Sequence, residues 1–232
     1  MLHLKRQDFD DLDHLHRINL INSCSGFKSA NLIGTKSNDG IPNVAIFSSV
    51  THFGSNPPLL GIIFRPVSDV PRNTYENIKE TGQFTINHIH RDIIEQAHHT
   101  SAKYDKRISE FDVTELEEEY KNNWHAPFVK GVPIQIALTF CEEYKIKANN
   151  TIQLIAEIKD LYVKDELIEK DGFINLSKAN VMTINGSKIT TPLNGMAFIF
   201  SPKITHTGLD DTNSISHPIP LRNSVANVRP RM

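Results

Sequence analysis

Residues 29–64 read SANLIGTKSNDGIPNVAIFSSVTHFGSNPPLLGIIF, and their punctuation decides the fold class. Ser29 to Thr35 has the content of a short strand. It runs into Ser37-Asn38-Asp39-Gly40, where Asp-Gly supplies the positive backbone angles that a tight hairpin turn needs. Asn43 to His52 reads as the next strand, and Leu59 to Phe64 as a third after a turn carrying Gly54, Pro57 and Pro58. A hairpin feeding a third strand is a β-meander, so this half of the chain is antiparallel sheet.

Upstream, Phe9, Leu12, Leu15 and Ile18 recur at three-residue intervals with Asp10, Asp11 and Asp13 beside them. That spacing predicts a helix with one buried stripe, broken at Ser23-Cys24-Ser25-Gly26. Downstream, Tyr75 to Glu80 reads as a short helix ended by Gly82. Phe84 to Ile89 reads as a strand with Phe84, Ile86 and His88 on one face, and His90 to Ala97 as a second short helix. Residues 100–130 are irregular and charged, and Thr114-Glu115-Leu116-Glu117 has the form of a capping box opening a brief helix. In two long strands, Ile134, Ile136, Leu138 and Phe140 alternate with more polar neighbours, as do Ile152, Leu154, Ala156 and Ile158. Each therefore should have one buried and one partly wet face, with Ala148-Asn149-Asn150 as the turn between them. A last strand lies near Val181 to Ile184.

These elements sum to a mainly β (α+β) chain: a nearly closed antiparallel barrel with short peripheral helices. The expected division is a barrel domain over 1–185, including the N-terminal helix, and an extended arm over 186–232, which lacks periodicity.

The 232 residues carry 39% hydrophobic and 22% charged side chains, enough for one buried core. A formal net charge of −2 supplies no basic excess for nucleic acid or anionic membrane. No apolar run approaches the ~20 residues that span a bilayer, and no signal-peptide pattern opens the chain, so a cytoplasmic protein is expected. Cys24 and Cys141 are the only cysteines, expected to be buried or inert thiols in a reducing compartment. No glycine-rich dinucleotide fingerprint, phosphate loop or nucleophile elbow is present. The histidine pairs His88/His90 and His98/His99 lack the helical i, i+4 spacing of a zinc site, so no metal site is expected.

Two segments have the chemistry of an anion cradle. Ala45-Ile46-Phe47-Ser48-Ser49 turns from apolar to hydroxyl-rich, and its backbone edge can pair with a planar heterocycle. Arg72-Asn73-Thr74 opens a helix, where free N–H groups, a hydroxyl and a guanidinium fork suit a phosphate. Each also has an ordinary reading, as tolerated strand hydroxyls, a helix cap or a surface charge.

Asn43-Val44-Ala45-Ile46-Phe47-Ser48-Ser49-Val50 with Asn56-Pro57-Pro58-Leu59-Leu60-Gly61, Arg72 to Ile78 with Gly82 to Asn87, and Thr100 to Tyr104 through Glu110-Phe111 together resemble the flavin reductase-like family, the flavoredoxin-like proteins with an FMN-binding split barrel. The resemblance implies a six-stranded split barrel forming a homodimer, with FMN held near the subunit interface. It implies Ala45 to Ser49 along the flavin ring and ribityl chain, Ser48, Ser49, Arg72 and Thr74 on the phosphate, and Asn87, His88 and Ser101 as further neighbours, with no catalytic side chain required. NADH or NADPH would donate a hydride to the flavin, which would pass electrons to a small-molecule acceptor or a partner oxidoreductase. One departure stands out. Reductases that supply monooxygenases often carry Gly-Asp-His in the hairpin where this chain has Ala148-Asn149-Asn150-Thr151. A flavin-binding electron carrier without its own nicotinamide site is therefore a second expectation. A split barrel for another cofactor, such as haem or a pyridoxal-type phosphate, or for none, is a third.

Overall fold

The computed structural model describes residues 1–67 and 72–186, with the backbone of residues 188–190 and 197–198. The remainder of the expected C-terminal arm lies outside the described residues.

A 3₁₀ turn, Arg6–Phe9, precedes helix α1, His14–Cys24. Asp13 caps α1 by accepting from the N–H groups of Leu15 and His16. The stripe expected to be buried is not. No residue of α1 is buried, and Leu15, Ile18 and Ile21 are exposed. Helical spacing indicates the element but not whether its apolar face is covered.

The barrel is built from β2, Asn31–Lys36; β3, Pro42–Phe47; β4, Val50–Ser55; β5, Pro58–Phe64; β6, Gln83–His88; β9, Ile134–Lys145; and β10, Ile152–Val163. They form one antiparallel sheet in the order β3-β2-β6-β9-β10-β5-β4. Its two edges, β3 and β4, are consecutive in the chain, so the sheet curls until its ends are joined by Ser48-Ser49. The continuous strand expected over Asn43 to His52 is thus two strands, giving seven where six were expected. From Ser49 onward the chain bonds to β5: the Ser49 hydroxyl donates to the Ile63 carbonyl at 2.8 Å, and the Ile63 N–H to the Ser49 carbonyl at 3.3 Å.

Helix α2, Asn73–Thr81, ends at Gly82, whose φ of +71° closes the helix in the left-handed conformation. It covers one end of the barrel through a buried polar network. The Asn43 amide donates to the Thr35 hydroxyl (3.3 Å) and the Thr74 hydroxyl (3.1 Å), and the Asn77 amide donates to Thr35 (3.1 Å). The inner core comes from strands all round the sheet, with Ile33, Ile62, Phe84, Ile86, Leu138 and Leu154 at its centre. An outer core packs Leu32 and Val44 against Ile94 and Ala97 of α3, Ile94–His99, and against Phe111 and Leu116 of the following segment.

That second layer is why β2 and β6 are buried on both faces. It also explains β9, where Ile134 to Leu138 are all buried and exposure begins beyond Phe140. Burial along β9 and β10 therefore changes lengthwise more than it alternates. Gly34 sits where the layers touch: a Cβ there would fall on the Pro127 carbonyl.

Thr114 opens no helix. Its hydroxyl donates to the Glu110 carbonyl at 2.7 Å and accepts the Leu116 N–H at 3.3 Å, a local turn that delivers Leu116 to the outer core. Beyond it β7, Glu118–Glu119, pairs with β8, Phe128–Val129. A second sheet orders β1, Lys28–Ser29, with β11, Thr183–Asn185, β12, Lys188–Thr190, and β13, Ala197–Phe198. Both cysteines are free and exposed rather than buried. Cys24 ends the uncovered α1, and Cys141 lies where β9 leaves the core. Among the described residues no helix is long and apolar enough to cross a membrane.

Candidate functional site

Because β3 is an edge strand, only one side of its backbone is paired. In an antiparallel ladder successive residues point their N–H and C=O alternately toward and away from the neighbouring strand. Val44 points away from β2, since its N–H donates to the buried Glu110 carboxylate at 3.1 Å. Ile46, two residues on, shares that orientation, which turns its backbone N–H and C=O to the open edge. Side chains alternate as well. Phe47 packs against the inner core and Ile46 against the outer one, which leaves the edge between them as backbone. Ala45 completes this run and is half-buried.

At the end of β3, Ser49 is committed to Ile63, whereas Ser48 makes no side-chain hydrogen bond among the described residues. The two serines expected to act alike thus differ: one holds the seam and one is available.

Arg72 is the N-cap residue of α2 but caps nothing with its side chain. Its Nε is buried with no hydrogen-bond partner among the described residues. A buried guanidinium N–H without an acceptor is costly, and an anion at the helix start would satisfy it. Asn73 opens the helix beside it. Thr74, expected on the phosphate, is buried and accepts from Asn43, so its hydroxyl is engaged in fastening α2. Thr74 meets the start of β3 and Ser48 follows its end, five residues along, about 16 Å of extended strand. Their own contacts do not bring the two halves of the cradle to one point. They flank the open edge lengthwise.

Asn87 and His88 point to opposite faces of β6. Asn87 is fully buried and saturated: its amide donates to the Leu32 carbonyl (3.2 Å) and the Thr85 hydroxyl (2.9 Å), and its oxygen accepts the Val129 N–H (3.0 Å). Those bonds join β2, β6 and β8 and leave nothing for a ligand. His88 lies opposite Asn31 in the β2–β6 register. His88 Nδ1 and Asn31 Oδ1 are both buried without partners among the described residues. Burial alone lowers the His88 pKa to about 4, so its imidazole is neutral at physiological pH. Ser101 is exposed in the turn after α3.

The same turn region carries contacts that the sequence does not reveal. The Tyr104 hydroxyl and His99 Nε2 are 2.7 Å apart, and Lys106 reaches Glu76 of α2 at 3.3 Å. Glu110 was quoted only within a motif. A glutamate in a charged, irregular segment carries no signal that it will end up buried against a strand edge.

Two cavities of about 300 and 330 Å³ lie elsewhere, lined by residues such as His90, Lys164 and Lys178, and by Lys121, Gln135 and Tyr162. None of the expected site residues lines either. Among the described residues no strand pairs with the outer edge of β3.

Comparison with known proteins identifies the family and the fold. Residues 25–180 match the model of the flavin reductase like domain. A flavin reductase candidate with a split barrel domain from Shewanella frigidimarina NCIMB 400 is 42% identical, with a TM-score of 0.80 over 87% of this chain and 100% of that one. The fold is also that of nitrilotriacetate monooxygenase component B from Bacillus cereus, at 18% identity and a TM-score of 0.73 over 86% and 98% of the two chains. It is shared by the 2-nitrobenzoate 2-nitroreductase of Pseudomonas fluorescens, at 19% identity and 0.69 over 89% and 100%.

Proposed function

The chain belongs to the flavin reductase-like family, and from that premise we propose that it is an oxidoreductase that holds FMN along the open edge of β3 and takes a hydride for it from NADH or NADPH. The observation that carries this reading is the buried Nε of Arg72 at the start of α2, without a partner among the described residues and close to an edge strand whose Ile46 backbone groups are unpaired among them. The donor set suits the group. The Ile46 backbone edge can pair with a planar heterocycle, the Ser48 hydroxyl can meet the ribityl chain or phosphate, and Arg72 with the Asn73 N–H can meet the dianion. When bound, the flavin supplies two-electron redox chemistry.

The protein's own task is then to orient and enclose. Ser49 holds the seam closed through Ile63, and Asn43 and Thr74 hold the phosphate-binding helix against the barrel. Asn87 acts structurally, and His88 forms a neutral wall near the seam. We place the protein in the cytoplasm as a homodimer, whose second subunit would cover the open β3 edge. Mass in solution tests this, and a monomer at micromolar concentration would count against it.

A second reading keeps the flavin and removes the nicotinamide site. The family's hairpin histidine is absent, and the hairpin here uses its side chain differently. Asn149 Oδ1 accepts from the Thr151 N–H (3.1 Å) and hydroxyl (2.7 Å), so it secures the turn. The protein would then be an electron carrier reduced by a partner. Anaerobic NADH separates the two readings: rapid bleaching of bound FMN supports the reductase, and persistent oxidised bands support the carrier.

A further inference from the structure

The open edge of β3 is already occupied at one point by the protein itself. Glu110 is buried, and its Oε2 accepts the Val44 N–H at 3.1 Å. Among the described residues no lysine, arginine or histidine pairs with this carboxylate. Its segment is held in place by the Thr114 hydroxyl on the Glu110 carbonyl and by Phe111 in the outer core with Val44. A buried carboxyl with no cation beside it among the described residues, fixed on a strand edge one alternation away from free backbone groups, is an unusual arrangement.

We propose that Glu110 is a positioning residue for the flavin: it occupies the Val44 amide, so that ligand pairing on β3 begins at Ile46, and its negative charge lowers the reduction potential of the flavin bound beside it. The proposal rests on the flavin site described above. Its electrostatic half follows from charge alone. A flavin gains electron density on reduction, and a fixed anion nearby in a poorly solvated site disfavours that state. Its geometric half follows from the ladder, since an edge amide already bonded to Glu110 is closed to a heterocycle.

Burial raises the Glu110 carboxyl above the usual range, while the Val44 and Glu110 backbone N–H groups pull it down. Tyr104 is the titratable group that feels it, its phenol raised by burial and by this carboxylate.

Three readouts on full-length wild type, Glu110→Gln and Glu110→Ala test the proposal. In flavin-free protein, Val44 amide hydrogen exchange should accelerate in Glu110→Ala relative to wild type. FMN affinity should fall about tenfold in Glu110→Ala, and Glu110→Gln, which keeps an oxygen acceptor, should restore most of it. The midpoint potential of bound FMN should rise in Glu110→Gln. Unchanged Val44 exchange together with unchanged affinity in Glu110→Ala would overturn the positioning role. An unchanged potential in Glu110→Gln would overturn the electrostatic one. If wild-type protein binds no FMN, the flavin site itself fails, while accelerated Val44 exchange would still show that Glu110 holds the strand edge.

Discussion

The Asn43 amide donates to the Thr74 hydroxyl at 3.1 Å, tying the first turn of α2 to the start of β3 inside a buried network. A motif that reads in the sequence as a phosphate grip is therefore divided between two tasks. In the proposed reading Arg72 and Asn73 would meet the anion, while Thr74 holds the helix that presents them.

Removing the Thr74 hydroxyl should consequently affect folding more than binding. Thr74→Val is expected to lower unfolding free energy by about 1–3 kcal/mol, because a buried Asn43 donor loses a partner. Urea denaturation measures this. FMN affinity should change less than in Arg72→Ala.

Arg72→Ala should weaken FMN binding by about 1.5–3 kcal/mol, the scale of a charge-assisted hydrogen bond. Titration of flavin fluorescence reads it directly. Unchanged affinity would remove Arg72 from the phosphate site.

Much of this architecture is legible in the chain, and for identifiable reasons. Asp39-Gly40 announces the β2–β3 hairpin because the turn demands Gly40's φ of +86°, and Gly82 marks the end of α2 in the same way. The break at Ser48-Ser49 is not legible. Its residues suit an extended strand, and the chain changes partner there only because the whole sheet closes on itself. The exposed stripe of α1 and the double burial of β9 fail for a related reason. Periodicity reports that a face is apolar but not which element covers it, or whether any does. Arg72 could be suspected from its place before a helix. Glu110 could not, since its role depends on a strand edge 66 residues away in the chain.

Gly34 is a position where space decides. A methyl group would collide with the Pro127 carbonyl and crowd the Thr85 hydroxyl. Gly34→Ala should therefore destabilise the protein by about 1–3 kcal/mol or more, read as a lower denaturation midpoint.

His88 gives stability a pH dependence of defined sign. Its folded pKa of about 4 lies below the ordinary value of 6.5, so between those limits the unfolded chain binds the extra proton. Its contribution is fully present above pH 6.5 and is lost as pH falls toward 4. His88→Gln should reduce the stability difference between pH 7 and 4.5 by about 2 kcal/mol. Glu110, raised by burial, has the opposite sign, so the comparison is made as a difference between wild type and variant.

The central claim is that FMN binds along β3, and an absorbance titration of the purified protein with FMN tests it most directly. Saturable shifts of the flavin bands, lost or strongly weakened in Arg72→Ala, are the predicted result. Bands identical to those of free FMN at every ratio would contradict the account.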